Sequence, residues 1–296
     1  MPVQVTLDIF SGRPNPTVRL SGRDADELLS RAAAAGRSGP RSKLQSVPPV
    51  LGYRGLIVEQ IGRPARGLPG SFRVAAGHIF PGGPKGGSVT TADPDLERDL
   101  LGRTAFIRRF DEPGLTPKHL HGDLERLLRI FELFPIKVRF PIRAVCPCAP
   151  VYEPAWWNDG GQRQSNNNCY NYGCNHRTDT FAQPGQCSGQ IYTSITGPAV
   201  RDAALRDDLE EAPNNDNKCP AAGHLVALVI KPAGWKDFHW YRKGRNGRWT
   251  HKPGSTQATN LDNSGAIITD PRTADRGGYT EFITFMVVKH GHIRII

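Results

Sequence analysis

The sequence lacks a long apolar segment and a secretion leader. No stretch of about 18 apolar residues occurs, so we expect no membrane-spanning helix. The first residues, Met-Pro-Val-Gln-Val-Thr-Leu-Asp, alternate in polarity and do not form a basic start followed by an apolar run, as a signal peptide does. We therefore expect a cytoplasmic protein.

Cysteine is absent from the first half of the chain. All 6 cysteines lie between Cys146 and Cys219, and no Cys-x-x-Cys pair of the zinc-binding kind occurs. In a reducing compartment these residues are expected to be thiols, metal ligands or catalytic groups. In an oxidising compartment, one or two disulfides beside a free thiol are expected instead.

Acidic residues are too few to balance the basic ones in the first half. Residues 1–145 carry 22 Lys and Arg against 14 Asp and Glu, whereas residues 146–296 carry 16 against 14, within a net charge of +10. A basic half of this kind suits an anionic surface. The arginines are not interleaved with aromatic residues, so a nucleic-acid partner is not expected.

What the chain does contain is abundant glycine and proline, 32 and 25 residues, which predicts short strands joined by loops. Alternating polarity predicts a hairpin over residues 3–20 and strands over 53–60 and 71–80. Apolar residues at helical spacing predict helices over 25–35 and 118–134.

The second half is predicted to hold a sheet with helices before it. An Asn-Gly pair in residues 244–247 predicts a hairpin turn. The predicted elements are a helix from Cys169 that ends before Gly185, a helix over 200–211, strands over 224–230, 235–242, 248–252 and 282–288, and a loop over 253–279. The predicted fold class is α+β, with a basic domain over 1–140, a connector over 141–164 and a domain with an antiparallel sheet over 165–296.

Cysteine chemistry is suggested by the polar stretch Ser165–Asn175. Asn is a favoured helix N-cap, and a thiol that follows it at a helix start has its thiolate stabilised. A nearby imidazole can take the proton of the thiol while a third group fixes the tautomer of that imidazole. This logic predicts Cys169 as nucleophile and His224 as base. His239 is the predicted orienting group, with His251 or Asp262 as substitutes.

These residues resemble a family of thiol hydrolases. The run Asn168-Cys169-Tyr170-Asn171-Tyr172 is similar to the Cys-helix motif of NlpC/P60 and CHAP-type enzymes, and the run 223–229 looks like their Gly-His strand. The resemblance covers about residues 160–290 and implies a papain-like domain that hydrolyses an amide bond in a peptide, isopeptide or small amide, without a cofactor. Asn168 departs from the usual Asp of the family. Residues 8–16 resemble the start of uncharacterised bacterial proteins.

The hydrolase interpretation also predicts a substrate pocket. Its predicted lining residues are Asn168, Tyr170, Trp240 and Tyr241. The oxyanion would be held by the backbone N–H of Cys169 together with one neighbouring polar group; the candidates are Tyr152, Gln164 and Asn166.

Two other functions remain open from the sequence. One is a non-catalytic binding module whose cysteines are structural and whose aromatic hairpin contacts a partner; the aromatic residues are Trp235, Phe238, Trp240, Tyr241 and Trp249. The other is a Cys/His metal-binding protein, because His290 and His292 would share one side of a strand. The candidate cysteine ligands are Cys146, Cys148, Cys174, Cys187 and Cys219, but their poor spacing leads us to expect no metal.

Overall fold

The computed structural model describes residues 1–34, 46–82, 89–133 and 145–296. Its helices and two antiparallel sheets confirm the predicted α+β class. The chain divides into two units, one made of residues 1–9 and 15–135 and the other of residues 10–14 and 136–296. In the described ranges no helix is long and apolar enough to span a membrane. The predicted domain boundary at residue 140 lies outside the described residues and stays a prediction.

The first unit holds a six-stranded antiparallel sheet in the order β2-β1-β3-β4-β5-β6. Its strands are β1 (Val3–Leu7), β2 (Thr17–Leu20), β3 (Leu56–Gln60), β4 (Ser71–Ala75), β5 (His78–Pro81) and β6 (Thr90–Thr91). Its helices are α1 (Arg23–Ala34), α2 (Leu96–Gly102), α3 (Thr104–Arg108) and α4 (Pro117–Leu133). The hairpin over 3–20 is therefore confirmed. The helices predicted over 25–35 and 118–134 are confirmed as far as residues 34 and 133, and their last predicted residues lie outside the described ranges.

One predicted strand of this sheet is in fact two. The apolar run over 71–80 turns at Ala76 and Gly77, whose φ angles are 49° and 71°, and the chain returns antiparallel. Left-handed φ suits glycine but is uncommon for alanine, so Ala76 gave no sign of the turn.

A buried ion pair holds the end of β1 in the first unit. Asp8 is fully buried, lies 2.5 Å from Arg54 and also contacts Arg73. Burial alone would raise the pKa of Asp8, but the two guanidinium groups hold it well below its usual range. The carboxylate therefore stays charged and holds both guanidinium groups, which in turn donate to the backbone carbonyls of Gly52 and Arg54.

The second unit holds a five-stranded antiparallel sheet in the order β10-β9-β8-β11-β7. Its strands are β7 (Glu210–Glu211), β8 (His224–Lys231), β9 (Asp237–Lys243), β10 (Trp249–His251) and β11 (Glu281–Val288), and its α-helices are α5 (Gln162–Ser165), α6 (Cys169–Gly173) and α7 (Gly197–Arg206). Every residue of β8 and β9 is buried, so both faces of the central strands are covered.

Two helices of the second unit are shorter than predicted. The helix from Cys169 ends at Gly173, and the chain then turns through Asn175, whose φ is 54°. The helix predicted over 200–211 ends at Arg206, because Glu210 and Glu211 pair with β11 instead.

A disulfide joins Cys146 to Cys219 across a sequence separation of 73 residues, and the other four cysteines are free. Disulfides persist in oxidising compartments. The pair therefore fits the expectation made for an oxidising setting and not that of a wholly reduced protein.

Replacing both Cys146 and Cys219 with Ser should lower the free energy of unfolding of the second unit by about 4 kcal/mol, because the unfolded chain regains the freedom of a long loop. Urea titration followed by tryptophan fluorescence measures the change. The matched control is Cys187→Ser, since Cys187 is an exposed free thiol. Equal midpoints for the double variant and the control would contradict a stabilising role for the disulfide.

Candidate functional site

The Asn-rich stretch builds a capped helix start, as the sequence predicts. The side-chain oxygen of Asn168 accepts from the N–H groups of Tyr170 and Asn171, and the Asn171 side chain accepts from the N–H of Asn168. This reciprocal capping satisfies backbone donors that a helix start leaves unpaired. Cys169 is therefore the first residue of α6.

The thiol of Cys169 is not poised to act as a nucleophile. The residue is fully buried, and burial, together with the nearby charge of Asp237, raises its pKa to about 12. Hydrogen bonds from the backbone of Trp240 and the hydroxyl of Ser11 favour the thiolate, but burial outweighs them. The cap is present as predicted, whereas the expected stabilised thiolate is not.

A chain of hydrogen bonds runs through two of the predicted histidines. The Ser11 hydroxyl lies 2.5 Å from Nδ1 of His239, whose Nε2 lies 2.9 Å from Nδ1 of His251. Nε2 of His251 lies 2.9 Å from the carbonyl oxygen of Leu261. The structure therefore joins His239 and His251 to each other, and both are buried.

The direction of this chain follows from its last acceptor. The Leu261 carbonyl only accepts, so Nε2 of His251 carries the proton. Burial lowers the pKa of His251 to about 4, so its ring is neutral and its Nδ1 accepts from His239. Nδ1 of His239 faces the Ser11 hydroxyl. These hydrogen bonds thus link four segments of the second unit: the segment of Ser11, β9, β10 and the loop that holds Leu261.

An aspartate, a serine and a tyrosine complete this cluster, and the sequence analysis missed all three. Asp237 accepts from the backbone N–H of Ser11 at 2.5 Å and from the hydroxyl of Tyr279 at 2.5 Å. Burial raises the pKa of Asp237. One available signal was the alternation of Asp237 and His239 on β9, which places both on one face. Ser11 and Tyr279 are too distant in sequence to give such a signal.

His224 begins β8 as predicted, but it contacts Gly173 and His290 instead of the predicted partners. Its Nε2 donates to the carbonyl of Gly173 at 2.7 Å, and its ring packs against His290 with centroids 5.1 Å apart. Burial lowers the pKa of His224 to about 3, so the ring is neutral. Its contact with α6 is made at the end of the helix and not at Cys169.

The residues predicted to line a substrate pocket are all fully buried. The Tyr170 hydroxyl donates to Asp207 at 2.8 Å, and the ring of Tyr170 packs on Trp240 with centroids 5.5 Å apart. The ring of Tyr241 stacks on His251. These side chains form the interior of the unit, and Asn168 caps α6.

The candidate oxyanion groups also have structural contacts. Tyr152 donates to the carbonyl of Ala258 at 3.4 Å, and the side-chain oxygen of Gln164 accepts from the N–H of Gly160 at 3.3 Å. The side-chain oxygen of Asn166 lies 3.3 Å from the hydroxyl of Ser165. Asp262, the alternative to His239 as the orienting group, accepts hydrogen bonds from backbone N–H groups of its own loop.

A buried lysine fixes the loop that precedes α6. Nζ of Lys252 donates to the carbonyls of Gln164 at 2.5 Å, Gly254 at 2.7 Å and Asn167. Carbonyl oxygens can replace the water around a buried ammonium group. Lys252 therefore ties the end of β10 to the capped loop.

The candidate metal ligands do not form a cluster. Among the residues that the structure describes, no group of 3 or more His, Cys, Asp or Glu side chains is arranged to hold a metal ion. Cys146 and Cys219 are instead joined to each other.

Comparison with known proteins gives one relative. The chain is 46% identical over 144 residues to insoluble matrix shell protein 1 of Ruditapes philippinarum, and the match covers 48% of this chain and 91% of that protein. No family model matches the chain, and no solved structure matches it.

This relative corrects several predictions. The resemblance to bacterial NlpC/P60 and CHAP-type hydrolases is wrong, because the similarity is to a mollusc shell matrix protein. The predicted cysteine peptidase or amidase activity is wrong for the same reason, and so is the cytoplasmic location. The physical cause of the error is burial: the motif places a cysteine at a helix start, but the fold encloses its thiol.

Thiol labelling of the folded chain near neutral pH should modify Cys148 and Cys187, which are exposed, and spare Cys169 and Cys174, which are buried. Unfolding without reductant should make all 4 free thiols reactive. Peptide mapping by mass spectrometry identifies the labelled sites. A Cys187→Ser control should remove one native label, and rapid native labelling of Cys169 would contradict its buried, protonated state.

Stability should fall as pH drops below about 6.5. His224 and His251 have folded pKa values of about 3 and about 4, below the ordinary 6.5, so the unfolded chain binds protons first. Each histidine can then cost up to about 1.4 kcal/mol per pH unit until its folded pKa is reached. Urea titrations between about pH 7 and pH 5 measure this slope. Most of this pH range lies above the pKa values of ordinary carboxyl groups, which therefore contribute little to the slope.

A His224→Gln variant should show a shallower pH slope, because the glutamine amide can still donate toward Gly173 but does not bind protons. The matched control is His119→Gln, which replaces an exposed histidine of α4 in place of a buried one. Identical slopes for wild type and His224→Gln would contradict the assignment of a neutral buried imidazole.

Proposed function

Because the chain belongs to the family of insoluble matrix shell protein 1, we propose that it is a non-catalytic structural component of an insoluble extracellular matrix. The observation that carries this proposal is the match to nearly the whole length of that relative. It favours the binding-module alternative with structural cysteines over catalysis.

The interior of the second unit supports a structural role. A nucleophile needs a reachable sulfur with a low pKa. Cys169 has neither property. The ring nitrogens of His239 and His251 are hydrogen-bonded to other groups of the protein. In this proposal, Cys169, His239 and His251 stabilise the interior of the second unit.

The disulfide supports an extracellular location. Cytosolic proteins seldom keep such bonds, whereas secreted proteins do. The Cys146–Cys219 bond ties the segment before α5 to the loop before β8. A protein that remains in a matrix benefits from such a tie, because the bond limits unfolding.

We further propose an anionic partner for a basic corner of the first unit. Arg19 lies on edge strand β2 opposite Gln4, and Arg63 and Arg66 lie in the loop that follows β3. All three arginines are exposed. Because Gln4 also pairs with Glu59 near the end of β3, the three arginines share one end of the sheet. Guanidinium groups suit carboxylate or sulfate ligands.

The folded, oxidised chain should bind to the insoluble organic fraction of decalcified Ruditapes philippinarum shell. Co-sedimentation with washed matrix measures this binding, with a folded protein of similar size and isoelectric point as the control for charge alone. Binding no greater than that of the control would contradict membership of a matrix assembly.

Replacing Arg19, Arg63 and Arg66 with Gln should weaken the same binding and reduce its salt dependence, since fewer charged contacts are screened. A variant with three other exposed basic residues replaced, Arg23, Arg108 and Arg129, controls for net charge. Equal losses in both variants would mean that general charge, and not this corner, carries the attraction.

A further inference from the structure

A lysine, an asparagine and an aspartate meet at one end of the second sheet. Nζ of Lys243, the last residue of β9, lies 2.7 Å from the side-chain oxygen of Asn217. The side-chain nitrogen of Asn217 lies 3.0 Å from Oδ2 of Asp270. The indole N–H of Trp249 donates to the same Asn217 oxygen at 3.2 Å.

The orientation of the Asn217 amide follows from its neighbours. Lys243 and Trp249 can only donate, so the atom that faces them is the oxygen. The ionised carboxylate of Asp270 can only accept, so the atom that faces it is the nitrogen. Nζ of Lys243 therefore faces the side-chain oxygen of Asn217, and the Asp270 carboxylate faces the side-chain nitrogen of Asn217.

The amine contacts the backbone and side-chain oxygens of Asn217, each at 2.7 Å, and its other neighbours are largely apolar. Lys243 is 6% exposed, and Trp249 and Phe285 are fully buried. The rings of Trp249 and Phe285 stack with centroids 5.4 Å apart, and the Lys243 ammonium lies 5.7 Å from the Trp249 ring. An amine here is held close to one amide and away from most water.

Burial lowers the pKa of Lys243, and the charge of Asp270 only partly opposes this. The neutral, nucleophilic amine is therefore more populated than in an ordinary lysine. Partial burial alone would raise the pKa of Asp270, but hydrogen bonds from Arg272 and Asn217 hold it below its usual value. Asp270 is therefore available as a proton acceptor.

We propose that Lys243 and Asn217 form an intramolecular isopeptide bond, with Asp270 as the proton carrier and Trp249 as the oxyanion donor. The Nζ lone pair attacks Cγ of Asn217, and the indole N–H stabilises the negative oxygen that results. Asp270 takes a proton from Nζ and passes it to Nδ2. The Cγ–Nδ2 bond then breaks, so one amide replaces another and ammonia leaves, without an oxidant or cofactor.

This bond would add a second covalent tie to the same region. Asn217 lies two residues before Cys219, whose disulfide already joins this loop to Cys146. The isopeptide would join the loop to the end of β9 as well. Unlike a disulfide, an amide is not cleaved by thiols, so the tie would survive reduction. The proposal is independent of any matrix partner.

The intact mass of the full chain tests the proposal. After incubation in mildly alkaline buffer, reduction and denaturation, the mass should be lower than the sequence mass by one ammonia. Trypsin does not cut after an acylated lysine. The digest should therefore contain one branched peptide, with residues 207–218 joined to residues 243–245.

Four variants separate this reaction from other losses of ammonia. Lys243→Arg keeps a cation but should abolish the mass loss, and Asp270→Asn should slow it at least tenfold. Lys231→Arg, which replaces another mostly buried lysine that donates to the carbonyl of Ala233, should leave it unchanged. Asn246→Ala should also leave the loss unchanged, because Asn-Gly pairs can lose ammonia by forming a succinimide.

The wild-type peptide map decides the question even where a variant does not fold. A wild-type chain at its full sequence mass, with residue 243 cleaved normally, would overturn the proposal. A mass loss that persists in folded Lys243→Arg, or that maps to Asn246, would overturn it equally.

Discussion

The second unit depends on one constraint: backbone groups buried in irregular segments must still be hydrogen-bonded. These segments lack the regular backbone hydrogen bonds of a helix or a sheet. Side-chain amides therefore pair with their backbone groups instead. Asn167 accepts from the N–H groups of Thr178 and Asp179, and Asn168 donates to the carbonyls of Gly12 and Ala182. Asn171 both caps α6 and accepts from Ala182. Without these amides, backbone N–H and C=O groups around α6 would be buried without hydrogen bonds, which would destabilise the fold.

The same constraint explains why structural residues resembled a catalytic set. A capped helix start, a cysteine and strand-borne histidines are what thiol catalysis requires, yet each also satisfies or fills a buried interior. Exposure separates the two roles, because a thiol enclosed by protein keeps its proton. For Cys169 and His251 the cost of burying a charge outweighs the hydrogen bonds that favour the charged form.

Local patterns predicted local structure well. The alternation over 3–20, the apolar run that begins at His224 and the Asn-Gly turn each reflect neighbours in sequence, and the structure confirms them. The helix from Cys169 was overestimated, because its end depends on left-handed backbone at Asn175. The Ser11–His239 contact joins residues 228 positions apart, so no periodicity could reveal it.

The hydrogen bonds of these asparagine side chains also determine which residues of the loop can be substituted during evolution. Asn167 and Asn168 bind mainly N–H and C=O groups, which every residue except proline supplies in full. The side chains of the surrounding loop are then free to be replaced, while the amides that hold its backbone are not. Aspartate has nearly the same shape but lacks the donor, so even this smallest replacement would set an oxygen against carbonyl oxygens. A lineage can therefore change the loop's surface chemistry while its path stays the same.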